Sequence, residues 1–141
     1  MTLDDVKREF ASQVKMRGFD DKYIDKQEEK EILQMAISKG VSFESARASI
    51  QQVCEKEGYT LESGVMKEAK QLLEVQAGTG KIDYRDFTDA ISFVTKRING
   101  VRSVKQVKRM LCEMIEEEAL RVTSGWITSW FKKVKREVGL S

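Results

Sequence analysis

Pairs of carboxylates three residues apart are the side chains of this sequence whose type and spacing could do chemistry. One pair is Asp25 and Glu28, and the other is Asp83 and Asp86. Paired carboxylates can act as acid and base at an active site. The same spacing also places one acid at the N-cap of a helix and a second at its third residue, where both bind backbone amides. Apolar residues at helical spacing follow each pair, which favours the capping role.

No other catalytic pattern is visible. The 141 residues contain no histidine, which removes the commonest general base and the usual transition-metal ligand. The run Gly78-Thr79-Gly80-Lys81 is similar to part of a nucleotide-binding loop, but no predicted strand precedes it and no Ser or Thr follows its lysine. We therefore expect no enzyme activity, no cofactor and no small-molecule substrate. The alternative is catalysis by a lysine or carboxylate whose pKa is shifted inside a pocket.

The two cysteines, Cys54 and Cys112, lie 58 residues apart, each on an apolar face of a predicted helix. Free cysteine is among the most buried residue types, and disulfides are rare in the cytosol. The sequence therefore predicts two buried, reduced thiols. A disulfide or a reactive thiol is the alternative.

Composition favours an all-α protein. Proline, the main interrupter of helices, is absent, and 34% of the residues are charged. No stretch approaches the roughly 20 apolar residues that a membrane span needs. The first five residues include two acids, which is not typical of a signal peptide. We therefore expect a soluble cytoplasmic protein, and its net charge of +2 selects no class of partner.

Seven segments carry apolar residues at helical spacing, with cap residues and glycines at their ends. Because the connections are short, we expect one single-domain bundle, residues 1–141, with a core over residues 1–100 and a C-terminal extension over residues 101–141. The apolar stripes include Ile37 and Phe43. The last two helices could equally be one helix bent at Gly125. The predicted helices begin near residues 3, 26, 43, 60, 84, 104 and 126, and the last ends near residue 138.

Two corners, each an extended stretch followed by a helix cap, share one pattern. They are residues 22–28 and residues 78–87, and placing Ile24 on Ile82 aligns both acid pairs and the apolar positions that follow at a constant offset of 58 residues. This pattern resembles the second half of an EF-hand, the helix–loop–helix calcium motif, in which isoleucine, an acid and a carboxylate occupy loop positions 8, 9 and 12. It is also similar, more weakly, to tellurite-resistance-B-like helical domains. Two ordinary helix caps are the alternative.

The resemblance to EF-hands implies calcium ligands, but half of the ligand set is missing. At loop positions 1, 3 and 5 the second corner has Val75, Ala77 and Thr79. Calcium takes about 6–8 oxygen ligands. We therefore expect no tight calcium binding at either corner. The weak candidates, if calcium does bind, are Asp83, Asp86, Asp21, Asp25 and Glu28.

The resemblance also implies an architecture. Ile24 and Ile82 would pair in a minimal two-residue sheet, so that helices 1, 2, 4 and 5 form one core and helix 3 is an inserted element. When domains of this kind bind peptides, they usually do so in a hydrophobic groove between helices. Helices 6 and 7 would fill or compete for that groove.

The C-terminal helix combines both tryptophans of the protein with a cluster of cations. On a helical wheel its large apolar residues fall in one arc of about 140°, and the cations occupy the opposite side. The segment from Gly125 to Ser141 has four basic residues and one acidic residue. The candidate partner-binding residues are Trp126, Trp130, Phe131, Lys132, Lys133, Lys135 and Arg136.

Three interpretations of this helix stay open. Its apolar arc docks on the protein's own core, or its aromatic residues anchor a partner protein or helical peptide, or the helix binds an anionic membrane surface, with nucleic acid a less favoured variant. We predict a non-catalytic, calcium-independent protein-interaction module with an adaptor or regulatory role. The alternative is a peripheral membrane-surface or nucleic-acid-binding protein that acts through this helix.

Overall fold

The computed structural model describes residues 2–125 and 129–141, and the chain there is mostly helical, as predicted. Its only sheet among these residues has two strands of two residues each. In chain order the elements are α1 (Leu3–Arg17), β1 (Tyr23–Ile24), α2 (Lys26–Ser38), α3 (Phe43–Glu57), β2 (Thr60–Leu61), α4 (Glu62–Ala77), α5 (Tyr84–Arg97), α6 (Val104–Glu117) and α7 (Trp130–Glu137).

Most helices begin at a capping side chain. Each of these caps accepts a hydrogen bond from the backbone amide three residues further along, which satisfies a donor that the helix itself leaves unpaired. The caps of α1, α2, α3, α5 and α6 are Thr2, Asp25, Ser42, Asp83 and Ser103.

The apolar spacing of the sequence predicts that α6 runs to about Arg121, but the helix ends at Glu117. The helix stops at Glu117 because Ala119 adopts a left-handed backbone with a φ of 52°. The amide of Leu120 then donates to the carbonyl of Ile115 at 2.9 Å, which closes the last turn.

The last helix begins at Trp130, where Ser129 is the N-cap. The predicted start at Trp126 lies outside the described residues. Because residues 121–125 are not helical, α6 and α7 are two helices, and the alternative of one helix bent at Gly125 is wrong.

The chain divides into two compact units, of which the first ends at Gly64 and the second comprises Val65–Ser141. This division differs from the predicted one at residue 100. In the first unit α3 packs against both α1 and α2, so the helix predicted to be an insertion belongs to the core. The buried cluster of this unit comprises Phe10, Val14, Ile24, Ile32, Leu33, Ala36, Ala46, Ile50 and Cys54.

The first corner pairs with residues of its own unit. β1 and β2 run parallel, with Ile24 opposite Leu61. A minimal two-residue sheet is therefore present, but the predicted pairing of Ile24 with Ile82 is wrong. The reason lies after α3, where Gly58 has a left-handed φ of 73° and directs the following residues along the corner.

The second corner has a partner of the same kind. Ile82 forms a parallel bridge with Val122. Its amide donates to the carbonyl of Arg121 at 2.9 Å, and its carbonyl accepts from the amide of Thr123 at 2.8 Å. Each corner is thus held by residues that follow the second helix after it.

The two units are repeats of one another. The corner and the helix after it match at the predicted offset of 58 residues, whereas α3 and β2 match α6 and Val122 at an offset of 61, which was not predicted. We call positions related by these offsets counterparts. Gly58 and Ala119, both left-handed, are counterparts. The buried stripe of α3 (Ala46, Ile50 and Cys54) has buried counterparts in α6 (Val107, Leu111 and Ile115).

In the second unit α5 and α7 both pack against α6. The inward-facing apolar residues of these three helices recur every three or four residues. They are Phe87, Ala90, Val94, Val107, Leu111, Ile115, Phe131 and Val134.

We predict that Gly18→Ala destabilises the first unit. The backbone of Gly18 suits any residue, but an added Cβ would lie 2.4 Å from the ring of Tyr59, whose hydroxyl donates to the carbonyl of Lys15 at 2.9 Å. Because this bond holds the ring in place, we expect a loss of about 1–3 kcal/mol in the free energy of unfolding. Urea denaturation followed by circular dichroism measures it.

Gly64→Ala is the matched control. A Cβ at Gly64 meets nothing within 4 Å, and the residue lies in α4, where alanine is the better helix former by up to about 1 kcal/mol. A Gly18→Ala protein as stable as the parent would contradict the packing described.

Candidate functional site

The acid pairs at the corners cap helices. In the first corner Asp25 accepts from the amide of Glu28 at 2.8 Å, and Glu28 accepts from the amide of Asp25 at 3.1 Å. In the second, Asp83 and Asp86 form the same reciprocal pair at 2.8 and 3.1 Å. Partial burial, followed by the charge of Asp25, raises the pKa of Glu28 despite its bond to the Asp25 amide.

The remaining calcium candidate, Asp21, also binds the backbone, since its carboxylate accepts from the amide of Tyr23 at 3.1 Å. All five candidates therefore have a local structural role in this conformation. Within the described ranges, no three Asp, Glu or Cys side chains are grouped closely enough to hold a metal ion.

The two cysteines are buried free thiols. Burial raises the pKa of Cys54 to about 11, and burial likewise raises that of Cys112 to about 11. A thiol with such a pKa is almost entirely protonated near neutral pH, so neither residue is suited to be a nucleophile.

The aromatic residues of α7 pack on the second unit itself. The ring centroid of Trp130 lies 5.2 Å from that of Phe87 and 5.7 Å from that of Tyr84. Its indole nitrogen donates to the hydroxyl of Thr123 at 3.0 Å, and Phe131 is buried. These contacts favour the interpretation in which the apolar arc docks on the protein's own core. Trp126, the other predicted anchor, lies outside the described residues.

Three of the four cations of α7 face solvent. Lys132, Lys133 and Arg136 are exposed, whereas Lys135 is largely covered and pairs with Glu116 at 3.3 Å. The partner-binding role predicted for the cations therefore stays available to the three exposed ones.

A groove between α2 and α3 of the first unit was not predicted. Its volume is about 370 Å³. Ile37 and Phe43 were expected in the core, but they form its walls and are 46% and 51% exposed. Each sits at the end of its helix, beyond the reach of the core helices, which explains the error. The lining residues are Lys26, Glu29, Lys30, Leu33, Gln34, Ile37, Phe43, Arg47 and Ser63.

The groove joins an apolar surface to unpaired charges. Lys26, Lys30 and Arg47 are exposed, and no ion pair engages them within the part of the chain that the structure describes. Glu29 is only 6% exposed, and no hydrogen bond or ion pair reaches its side chain among the same residues. Its carboxylate oxygens are not among the fully buried unpaired atoms, so a ligand that covers them must supply a donor in place of water.

A sequence signal for the groove does exist. Lys26, Lys30, Leu33 and Ile37 recur every three or four residues and lie on one face of α2. Glu29 also stands where the second corner has the buried Phe87, an acid in place of a core residue. A mixed stripe of this kind is typical of a helix face that is half covered.

A second, larger cavity of about 530 Å³ lies between α1 and α3. Small uncharged side chains such as Ser45, Ala48 and Ser49 form much of its wall. Phe10 and Val6 also line it but are already buried in the core, and Lys7 is the one charged residue of the lining, so the α2–α3 groove is the better candidate site.

Comparisons with protein-family models, with curated proteins and with solved structures found no match. In the described ranges, no helix combines the length and the apolar character that crossing a membrane requires.

We predict that both thiols are protected in the folded protein. At pH 8 a thiol with a pKa near 11 is about one-thousandth thiolate, and burial adds a steric barrier. Labelling by a chromogenic disulfide reagent should be at least about 10-fold slower in the native protein than in guanidinium, where two equivalents react. Rapid native labelling, or fewer than two equivalents after unfolding, would contradict this assignment.

Proposed function

We propose that this chain is a non-catalytic protein-interaction module and that a segment of a partner protein binds in the α2–α3 groove. The observation that carries the proposal is the exposure of Ile37 and Phe43 on the walls of a concave site. Covering the exposed half of each side chain contributes about 1 kcal/mol. The buried Glu29 adds a polar group through which orientation can be specified.

Several features support a role without catalysis or calcium. The corner carboxylates bind backbone amides, and both thiols have raised pKa values. The EF-hand-like resemblance of the corners stays part of the proposal, as a scaffold whose acids cap helices. Free buried thiols also suit a cytoplasmic location, which we include in the proposal.

We predict that peptides selected against the full-length protein depend on the groove walls. A display library of random 16-residue peptides should yield binders whose affinity falls at least about 10-fold when Phe43→Ala or Ile37→Ala removes an apolar anchor. Val104→Ala is the matched control, because Val104 is the counterpart of Phe43 in the second unit and is equally exposed at 51%.

The proposal fails if no peptide is selected, or if the selected peptides bind the Phe43→Ala and Ile37→Ala proteins as tightly as the parent. Circular dichroism of each variant confirms that the fold is intact. Both side chains are exposed, so we expect little change in stability.

A second candidate function is binding to an anionic surface through the second unit. This unit carries fifteen basic and ten acidic residues, whereas the first carries ten and thirteen. Residues 96–109 include six cations and no acid, and Lys132, Lys133 and Arg136 are exposed on α7. Such a surface attracts anionic lipid or a nucleic-acid backbone.

We predict that any binding to phosphatidylserine vesicles or to a DNA duplex is weak and is lost as salt rises from 50 to 500 mM, because exposed charges are screened. Cosedimentation measures binding to the vesicles, and fluorescence anisotropy measures binding to the DNA duplex. Lys132→Glu with Lys133→Glu should abolish either binding, while Lys26→Glu, a first-unit cation, leaves it unchanged. Binding that persists at 500 mM salt would contradict an electrostatic surface.

A further inference from the structure

The internal repeat relates one end of the open groove of the first unit to a place in the second unit where an aromatic ring packs. Lys26 and Glu29 line the groove, and their counterparts are Tyr84 and Phe87. Trp130 of α7 packs on both of these rings. The second unit therefore shows what kind of element covers this end of the face, while Val104, the counterpart of Phe43, stays 51% exposed.

The covering element is an amphipathic helix that runs antiparallel to α6. At its start, Trp130 bonds to Thr123, and further along Lys135 pairs with Glu116. Residues later in α7 contact residues earlier in the chain near α6, so α7 lies along the length of α6. Its buried side consists of Phe131 and Val134, followed by the buried C-cap residue Val138.

From these observations we propose that the α2–α3 groove binds an amphipathic helix of a partner protein, with a tryptophan near Glu29 and acidic residues beside Lys26, Lys30 and Arg47. This inference rests on the proposed function and names its partner class. The lining of α2 from Lys26 to Ile37 is about 16 Å long at 1.5 Å per residue, enough for about three helical turns.

The tryptophan is inferred from the buried acid. Phe87, which Trp130 covers in the second unit, is replaced by Glu29 in the first. A partner ring that enters here meets a carboxylate without a hydrogen-bond donor within the described chain. The indole N–H supplies that donor and keeps the same apolar surface, whereas phenylalanine supplies none.

Charge decides against the protein's own α7 as the occupant, whether from a second copy or by rearrangement. Three exposed cations of α7 would approach three unpaired cations of the groove, and like charges at close range repel. The cations on the two sides are Lys132, Lys133 and Arg136 on α7, and Lys26, Lys30 and Arg47 at the groove.

The test uses a synthetic peptide of residues 129–141 in which Lys132→Glu, Lys133→Glu and Arg136→Glu reverse the exposed charge. Titration of the full-length protein into this labelled peptide, followed by fluorescence anisotropy, should show binding at least about 10-fold tighter than that of the unaltered peptide. Trp130→Phe in the acidic peptide should weaken binding about 10-fold, because the charged hydrogen bond to Glu29 is lost.

Matched variants of the protein locate the site. Arg47→Glu should weaken the acidic peptide about 10-fold and strengthen the unaltered basic one. Lys108→Glu, at the counterpart of Arg47 in the second unit, should change neither affinity. Phe43→Ala should weaken both peptides, and Val104→Ala neither.

The inference is overturned if the acidic peptide binds no better than the basic one, or if Lys108→Glu affects binding as much as Arg47→Glu does. Failure of this inference is distinguishable from failure of the proposed function. If library peptides depend on Phe43 while the acidic helical peptide does not bind, the groove is a binding site but its occupant is not an acidic helix.

Discussion

Each unit depends on the pairing of its corner with the residues that follow the second helix after it. The extended residues of a corner have amide and carbonyl groups that no helix satisfies, and buried groups of this kind must find partners. Ile24 finds them along β2, and Ile82 finds them beside Val122. A residue with a left-handed backbone makes each pairing possible. The pairing in turn places side by side the two helices that lie, in the sequence, between the paired segments. The groove is a product of that arrangement.

The two units differ by changes of side chain on a repeated backbone. At one pair of counterparts the first unit has Glu29 and the second has Phe87, and at another Lys26 stands against Tyr84. Aromatic side chains at these positions accept the ring of Trp130 from the same unit. Charged side chains leave the equivalent face open and polar. The same fold therefore covers this position with its own residues in one copy and leaves it open in the other.

Local signals in the sequence predicted the helices well, because caps such as Asp25 and Ser103 act within three residues of themselves. The first helix, the corners and the offset of 58 residues were all visible. Long-range pairing was not, since Ile24 can bond to any extended segment and the three-residue change of offset concealed its partner Leu61. Ile37 and Phe43 were assigned to the core because periodicity shows which face is apolar but not where a neighbouring helix ends.

The covering of the second unit by α7 has a consequence for valency. A ligand tethered to its site by a short connection acts at a millimolar effective concentration. Only a handful of residues separate Thr123 from Trp130, so a free helix of micromolar affinity cannot compete with Trp130 for the rings of α5. Duplication thus yields two copies of one face, of which the second has its Phe87 position covered by Trp130. Under the proposed function, the chain would be a monovalent receptor that occupies a partner without cross-linking it to another.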